Sequence, residues 1–340
     1  MSAANDHIIV QSSRTSRAAA IVAVLLLAFL IAAPWWAGRA DLRLFGEIYL
    51  YVALACLWNF LAGYAGLVSV GQQAFVGFGG YCLFALAIFA GVHPLLAVPL
   101  IVLLGTLVSI PVAVLIFRLR GAYFAIGTWV IAEVFRLSFA QISALGGGSG
   151  TSLPVGIVKS ISASRSGRES AAYWSALGIA VLVIASVYLF LRSRQGLALK
   201  AIRDNESAAE AMRIDIWRTK FFVYIATAGL TSAVGALIFL QKLRISPDAA
   251  FSVNDWTAFV IFIVVIGGIG TIEGPIIGTI VFFLLRETLA DLGTAYLLIL
   301  GVVAIVVMLR APSGLWGFVK ARTGIELFPT TRRVERRRQT

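Results

Sequence analysis

Charge is scarce in this sequence. Only 13% of its 340 residues are Asp, Glu, Lys or Arg, about half of what soluble domains use to cover a water-facing surface. The length alone would allow two soluble domains, but 60% hydrophobic residues and a mean hydropathy of +0.93 exclude that class, along with disordered and collagen-like chains. Cysteine is nearly absent: Cys56 and Cys82 fall within or beside apolar runs, so neither a disulfide framework nor a thiolate metal cluster is indicated. His7 and His93 are the only histidines, too few to build a histidine triad or a zinc site. None of the five lysines, Lys159, Lys200, Lys220, Lys242 and Lys320, ends a G-x-x-x-x-G-K-[ST] phosphate loop. Any ATP that drives this chain is therefore bound by another. An intramembrane enzyme would have to use Glu133 or Asp255 as its acid or base, with no second group at catalytic spacing.

Long apolar runs are abundant. A bilayer core about 30 Å thick needs about 20 apolar residues per helix, and the alternating pattern of a membrane β-barrel is missing. The runs predict an all-α polytopic membrane protein with about ten spans, near 18–36, 46–62, 74–92, 95–117, 121–140, 173–191, 221–241, 256–270, 275–290 and 294–309. The first follows Arg14 and Arg17 as a signal peptide would, yet it ends in Pro34-Trp35-Trp36. An aromatic anchor in place of a small-residue cleavage site marks an uncleaved span.

The positive charge then orients the chain. Lys and Arg number 28 against 16 Asp and Glu, a net +12. With the N-terminus inside, 19 of the 28 basic residues fall in cytoplasmic segments, as the positive-inside bias requires. Both termini are thus expected in the cytoplasm: a tail over 1–17, a membrane domain over 18–310 and a basic tail over 311–340, with a periplasmic loop over 141–172 and a cytoplasmic loop over 192–220. The RRVERRR run of Arg332–Arg338 reads as a solvated topology determinant or as a lipid-attracting patch. No basic-aromatic platform accompanies it, so nucleic acid is not expected as a partner.

Three stretches break the apolar pattern. From Arg192 to Lys220 the chain carries seven basic residues, and Leu197–Met212 is rich in helix formers, predicting a short amphipathic helix. It either lies at the headgroups or docks through its small residues Ala208 and Ala209 on another protein. From Gly63 to Tyr81, six glycines surround Ser69, Gln72 and Gln73; such a segment either packs helices closely or forms a broken or re-entrant helix lining a pathway. A weak echo follows in IGGIGTIEGPIIG, where Gly267, Gly270 and Glu273 repeat the spacing of Gly63, Gly66 and Ser69. Duplicated, glycine-interrupted segments point to a substrate route between two halves. Finally, Glu133 and Arg136 lie three apart inside a span and can pair, as a helix clamp or as part of a gate.

These residues carry a family likeness. GLALKAIRDNESAAEAMRIDIWRTKFF, GYAGLVSVGQQAFVGFGGY, RLRGAYFAIGTWVIAEVFRL with LGGGSGTSLP, IGGIGTIEGPIIG and RAPSGLWG, in this order over about 45–318, resemble the permeases of bacterial ABC importers, specifically the branched-chain amino acid permeases of the M-subunit type. The resemblance implies an ABC importer permease fold in the inner membrane and import of Leu, Ile or Val by alternating access. It implies four kinds of partner: a related second permease, two cytoplasmic ATPases that carry the ATP and magnesium, a periplasmic binding protein and membrane lipid. No cofactor, metal or catalytic residue is expected on this chain itself. Arg203, Asp204, Glu206, Ala208 and Ala209 match the family's ATPase-coupling segment, while Ser69, Gln72, Gln73, Glu133, Arg136, Gly270 and Glu273 are the pathway or gate candidates. Two positions depart from the pattern. Arg213 stands where a glycine usually permits a left-handed turn, and Gly146 stands where threonine is common. The alternatives are the same machine importing urea or a short-chain amide, or an ion-coupled carrier working alone.

Overall fold

The computed structural model describes residues 7–10, 14–289, 293, 295–311, 313–323, 327–328 and 333–336. Much of the tails, including Arg332, Arg337 and Arg338 of the basic run, lies outside the described residues. Apolar runs dominate the chain, and a backbone in hydrocarbon must satisfy its own polar groups, so it folds as helices. Eight of them, among the described residues, are long and apolar enough to cross a membrane. The chain is an all-α, multi-pass membrane protein.

Helix α1 (Arg14–Ile31) leads to α2 (Arg39–Asn59), whose last turn widens into a π-turn over Phe60–Tyr64. An irregular segment precedes α3 (Gln72–Phe89), followed by α4 (Pro94–Ile116) and α5 (Ala122–Ala140). Short α6 (Val155–Ile161) and long α7 (Arg165–Arg192) come next, then the pair α8 (Arg194–Asp204) and α9 (Glu206–Ala211). The second half holds α10 (Ile216–Lys242), α11 (Pro247–Ala250), α12 (Phe259–Gly267), α13 (Glu273–Thr288), α14 (Ala295–Arg310) and α15 (Gly314–Thr323). The 16 residues of α13 rise only about 24 Å, so it falls short of a full span. Two small antiparallel pairs, His7–Val10 with Arg333–Arg336 and Thr151–Ser152 with Arg244–Ile245, are the strands among the described residues.

The predicted single helix over Leu197–Met212 is in fact two. Asn205 has extended backbone and its side chain accepts a hydrogen bond from Ala208 N. A short amide side chain does better as an N-cap than inside a helix, and it splits the stretch into α8 and α9.

Helices α2 and α10 form the centre. Every residue of α2 from Leu50 to Asn59 is buried, as is nearly all of α10 from Thr231 to Leu240. Around them α3, α4, α7, α12 and α13 pack in a ring, while α4 and α5 turn Leu96, Leu103, Leu115, Tyr123 and Ile126 outward. The α3–α10 crossing is made by bare backbone. A Cβ on Gly79 would sit 1.8 Å from Ser232 O, and one on Gly235 would sit 2.1 Å from Val76 O. Small residues are how membrane helices approach closely where no hydrophobic force drives them together. Gly235→Ala therefore forces α3 from α10 at a cost of about 1–3 kcal/mol or more. The expected result is loss of the monodisperse peak in size-exclusion chromatography, with Gly178→Ala on α7, where space is open, leaving the peak unchanged.

Candidate functional site

Both glycine-rich stretches are true breaks, and they meet. After Tyr64 the chain reverses beside α2: Trp58 Nε1 donates to Ser69 O (2.8 Å) and Gln72 Nε2 to Leu54 O (3.2 Å). Ten residues separate Leu54 from Tyr64, so α3 starts about 15 Å back along α2. The intervening 66–71 is a re-entrant strip of irregular backbone. Side chains replace the missing helix partners: Val70 N donates to Thr128 Oγ1 of α5 (3.0 Å) and Gly71 N to Ser69 Oγ (3.2 Å). Such a strip survives in a membrane only where protein or a water-lined cavity surrounds it.

The second break separates α12 from α13. Gly268 and Gly270 take positive φ of 130° and 78°, and Thr271 Oγ1 donates to Gly268 O (2.8 Å) while accepting from Gly274 N (3.1 Å). One side chain joins it to the first break. Asn59, 2% exposed, donates through Nδ2 to Thr271 O (2.7 Å) and accepts at Oδ1 from Gly270 N (2.8 Å). The contact is close enough that a Cβ on Gly63 would lie 2.6 Å from Gly270 N.

Helix α8 reaches the same point. Arg203 Nη1 donates to Gly63 O (2.9 Å), and the rest of its guanidinium faces Asp204 Oδ1 at 3.3 Å. Beyond the Asn205 cap, Glu206 pairs with Lys220 of α10. Ala209 is buried at 1%, while Ala208, Glu206, Ser207 and Glu210 are exposed. The surface that α9 presents is thus two glutamates among the small residues Ser207, Ala208 and Ala211, and Ala209 belongs to its own packing. The turn after α9 is a Schellman motif: Ile214 N donates to Ala209 O (3.1 Å) and Arg213 N to Glu210 O (2.8 Å). Arg213 takes φ +61°, so the left-handed turn forms despite the side chain. A cleft of about 1070 Å³ opens between Gly66–Val68, Arg120–Ala122 and α9.

The remaining predicted residues lie elsewhere. Gln73 accepts from Thr257 of α12's irregular start, and Gln72 Oε1 is buried with no partner among the described residues. Ser69, Gln72 and Gln73 therefore form a buried polar group partway along the bundle. Glu133 and Arg136 pair at 2.6 Å, and Arg136 also bonds Asp248 of α11 at 2.8 Å, so the pair clamps α5 to α11 away from the breaks. Glu273, 7% exposed, accepts from Leu327 N and Phe328 N, anchoring the segment after α15 beside the second break. Gly146 has φ +84°, a conformation in which threonine would be strained. Asn59, Thr128, Thr257 and Asp248 were not singled out from sequence; Asn59 alone carried a signal, as a lone amide in a long apolar span.

The sequence that folds this glycine-broken bundle matches a known family. Its profile, described as branched-chain amino acid transport system permease component, matches residues 42–309. The chain belongs to this family. Among its relatives, the high-affinity branched-chain amino acid transport system permease protein LivM of Escherichia coli K12 is 26% identical, covering 87% of this chain and 74% of the relative. The protein of the same name from Salmonella typhimurium is 25% identical over 85% and 73%. A probable LivM of Methanocaldococcus jannaschii is 28% identical over 57% of this chain and 56% of its own length. No solved structure matches the chain. Membership makes this permease a transport protein and an ABC-type permease.

Two substitutions test the local physics of this permease. Asn59→Leu strands Gly270 N and Thr271 O in the interior, a cost of about 1–3 kcal/mol per unmade bond, and should lower the thermal unfolding midpoint in detergent. Arg213→Gly relieves a left-handed conformation that costs about 1–2 kcal/mol for a residue with a Cβ. It should raise the midpoint or leave it unchanged, whereas Arg213→Val should lower it.

Proposed function

We propose that this chain is the pore subunit of an ATP-driven importer that carries branched-chain amino acids, Leu, Ile and Val, across the bacterial inner membrane by alternating access. In this reading, guided by the charge asymmetry, both termini and α8–α9 face the cytoplasm, the two breaks lie within the bundle toward its cytoplasmic end, and the 141–172 loop faces the periplasm. A related permease completes the pore, two cytoplasmic ATPases hold the ATP and magnesium, and a periplasmic binding protein delivers the substrate. This chain binds no cofactor and performs no covalent step. The substrate assignment is supported by the similarity to the two LivM proteins, whose names state it.

The observation that carries the mechanism is the bond from Arg203 Nη1 to Gly63 O. Helix α9 offers Glu206, Ala208 and Glu210 outward for docking, and α8 passes any displacement through Arg203 into the first break. Asn59 couples that break to the second, so Gly63 and Gly270 move together. A push on α8–α9 thereby reorients the re-entrant strip that leads to Ser69, Gln72 and Gln73. Glu133 and Arg136 hold α5 to α11 while the breaks shift.

Uptake assays separate docking from transmission. Ala208→Trp and Glu206→Lys should abolish uptake and ATPase co-purification while leaving the permease inserted; normal uptake with normal co-purification in both would overturn the coupling assignment. Arg203→Gln removes a charge-assisted hydrogen bond of about 1.5–3 kcal/mol and should cut uptake by about tenfold or more while the ATPases still co-purify.

A further inference from the structure

The end of the bundle opposite α8–α9 carries an arginine cluster that the transport reading leaves unused. Helices α2 and α7 both begin here, and Arg39, Arg43 and Arg165 converge on one carboxylate, Glu169. Arg43 Nη2 lies 2.6 Å from Oε1, Arg165 Nε 3.5 Å from Oε1 and Arg39 Nε 3.8 Å from Oε2. Glu169 is beneath them, its side chain 10% exposed, while the three arginine side chains are 66%, 62% and 66% exposed. One carboxylate therefore orients three guanidiniums without consuming them, since each carries five donors in a fixed fork. Arg168 beside them bonds, among the described residues, backbone carbonyls, chiefly Ser162 O at 3.0 Å. On α2, Asp41 accepts from Gly38 N (3.1 Å). Three arginines thus share the one carboxylate of Glu169, and the positive ends of two long helix dipoles add to the excess.

The surroundings set the depth and the occupant. Arg43, Arg165 and Arg168 line a pocket of about 510 Å³ whose other walls include Leu42, Leu95, Ile161 and Leu240. Trp174, which follows the pocket residue Tyr173 on α7, is exposed, as are Trp35, 5.9 Å from it, and Trp36, and Trp174 Nε1 donates to Ile31 O. Exposed tryptophans collect at the membrane-water boundary, so these guanidiniums sit at headgroup level, above an apolar surface. Arginine forks match phosphate oxygens in pairs.

We infer that this corner is a binding site for the phosphate of an anionic phospholipid such as phosphatidylglycerol. The headgroup takes the outward donors of Arg39, Arg43 and Arg165, and the acyl chains lie along the leucines below. A soluble phosphate shares the headgroup chemistry but gains nothing from the apolar walls.

Native mass spectrometry of the full chain, extracted from membranes of equal phosphatidylglycerol and phosphatidylcholine content, tests this. The wild type should retain phosphatidylglycerol preferentially. Arg39→Gln with Arg165→Gln leaves the close Arg43–Glu169 pair in place to hold the fold. Retention should fall about fivefold per arginine removed, roughly thirtyfold for both, and Arg39→Lys with Arg165→Lys should restore part of it. Equal retention of both lipids, or undiminished retention in the Gln variant, would overturn the proposal. Displacement of the lipid by millimolar inorganic phosphate would make the site a free-anion site. Loss of binding-protein stimulation in the Gln variant at unchanged lipid retention would make it a protein dock.

Discussion

A backbone amide in hydrocarbon has no water to turn to, and this chain interrupts two helices inside the bundle regardless. What makes that tolerable is Asn59. Its amide has one donating and one accepting end, and it spends each on the second break, at Thr271 O and Gly270 N. An aspartate would lack the donor and a leucine would lack both. Because the same side chain rises from α2 just before the first break, the two irregular segments share one support and cannot relax independently.

The consequence is a bundle with stiff and soft parts in defined places. The α3–α10 crossing, with carbonyl oxygens where Cβ atoms would be, admits no repacking by small steps. Motion is instead available at Gly66, Gly268 and Gly270, whose backbones already occupy positive φ. Arg203 ties α8 to the first break by its bond to Gly63 O, while Glu206 and Lys220 join α9 to α10. Interactions that grip the breaks are therefore the ones through which a partner's movement can act, while α2 and α10 keep the register.

How much of this was legible in the sequence follows from the range of each interaction. Most of the apolar spans and the places where the glycines cluster could be read because both are local signals, whereas the predicted span over 275–290 is the short α13 and the choice between close packing and a break needed the fold. The segment proposed for coupling stands out in the sequence as a charged, helix-forming island between long spans. What sequence could not supply were partners at a distance: Asn59 meets Gly270 and Thr271 across more than two hundred residues, and Glu273 meets the backbone of Leu327 and Phe328. The split at Asn205 was local, yet the helix formers on both sides outvoted a single capping amide. Ala208 and Ala209, alike in sequence, part ways because α9 has one buried face. Arg213 shows local backbone bonding overriding a residue's own preference: the Schellman hydrogen bonds hold an arginine where glycine would be unstrained.

The two ends of the bundle handle positive charge in different ways, and orientation gives the reason. Basic residues of α8 and α9 and their turns are spread from Arg192 to Lys220, which suits a positive-inside signal. At the opposite end a comparable density in one spot would compete with that signal. There Arg39, Arg43 and Arg165 gather around Glu169. With the proposed lipid phosphate above and the carboxylate beneath, the cluster would be neutralised in place, and lipid binding would not oppose the proposed topology.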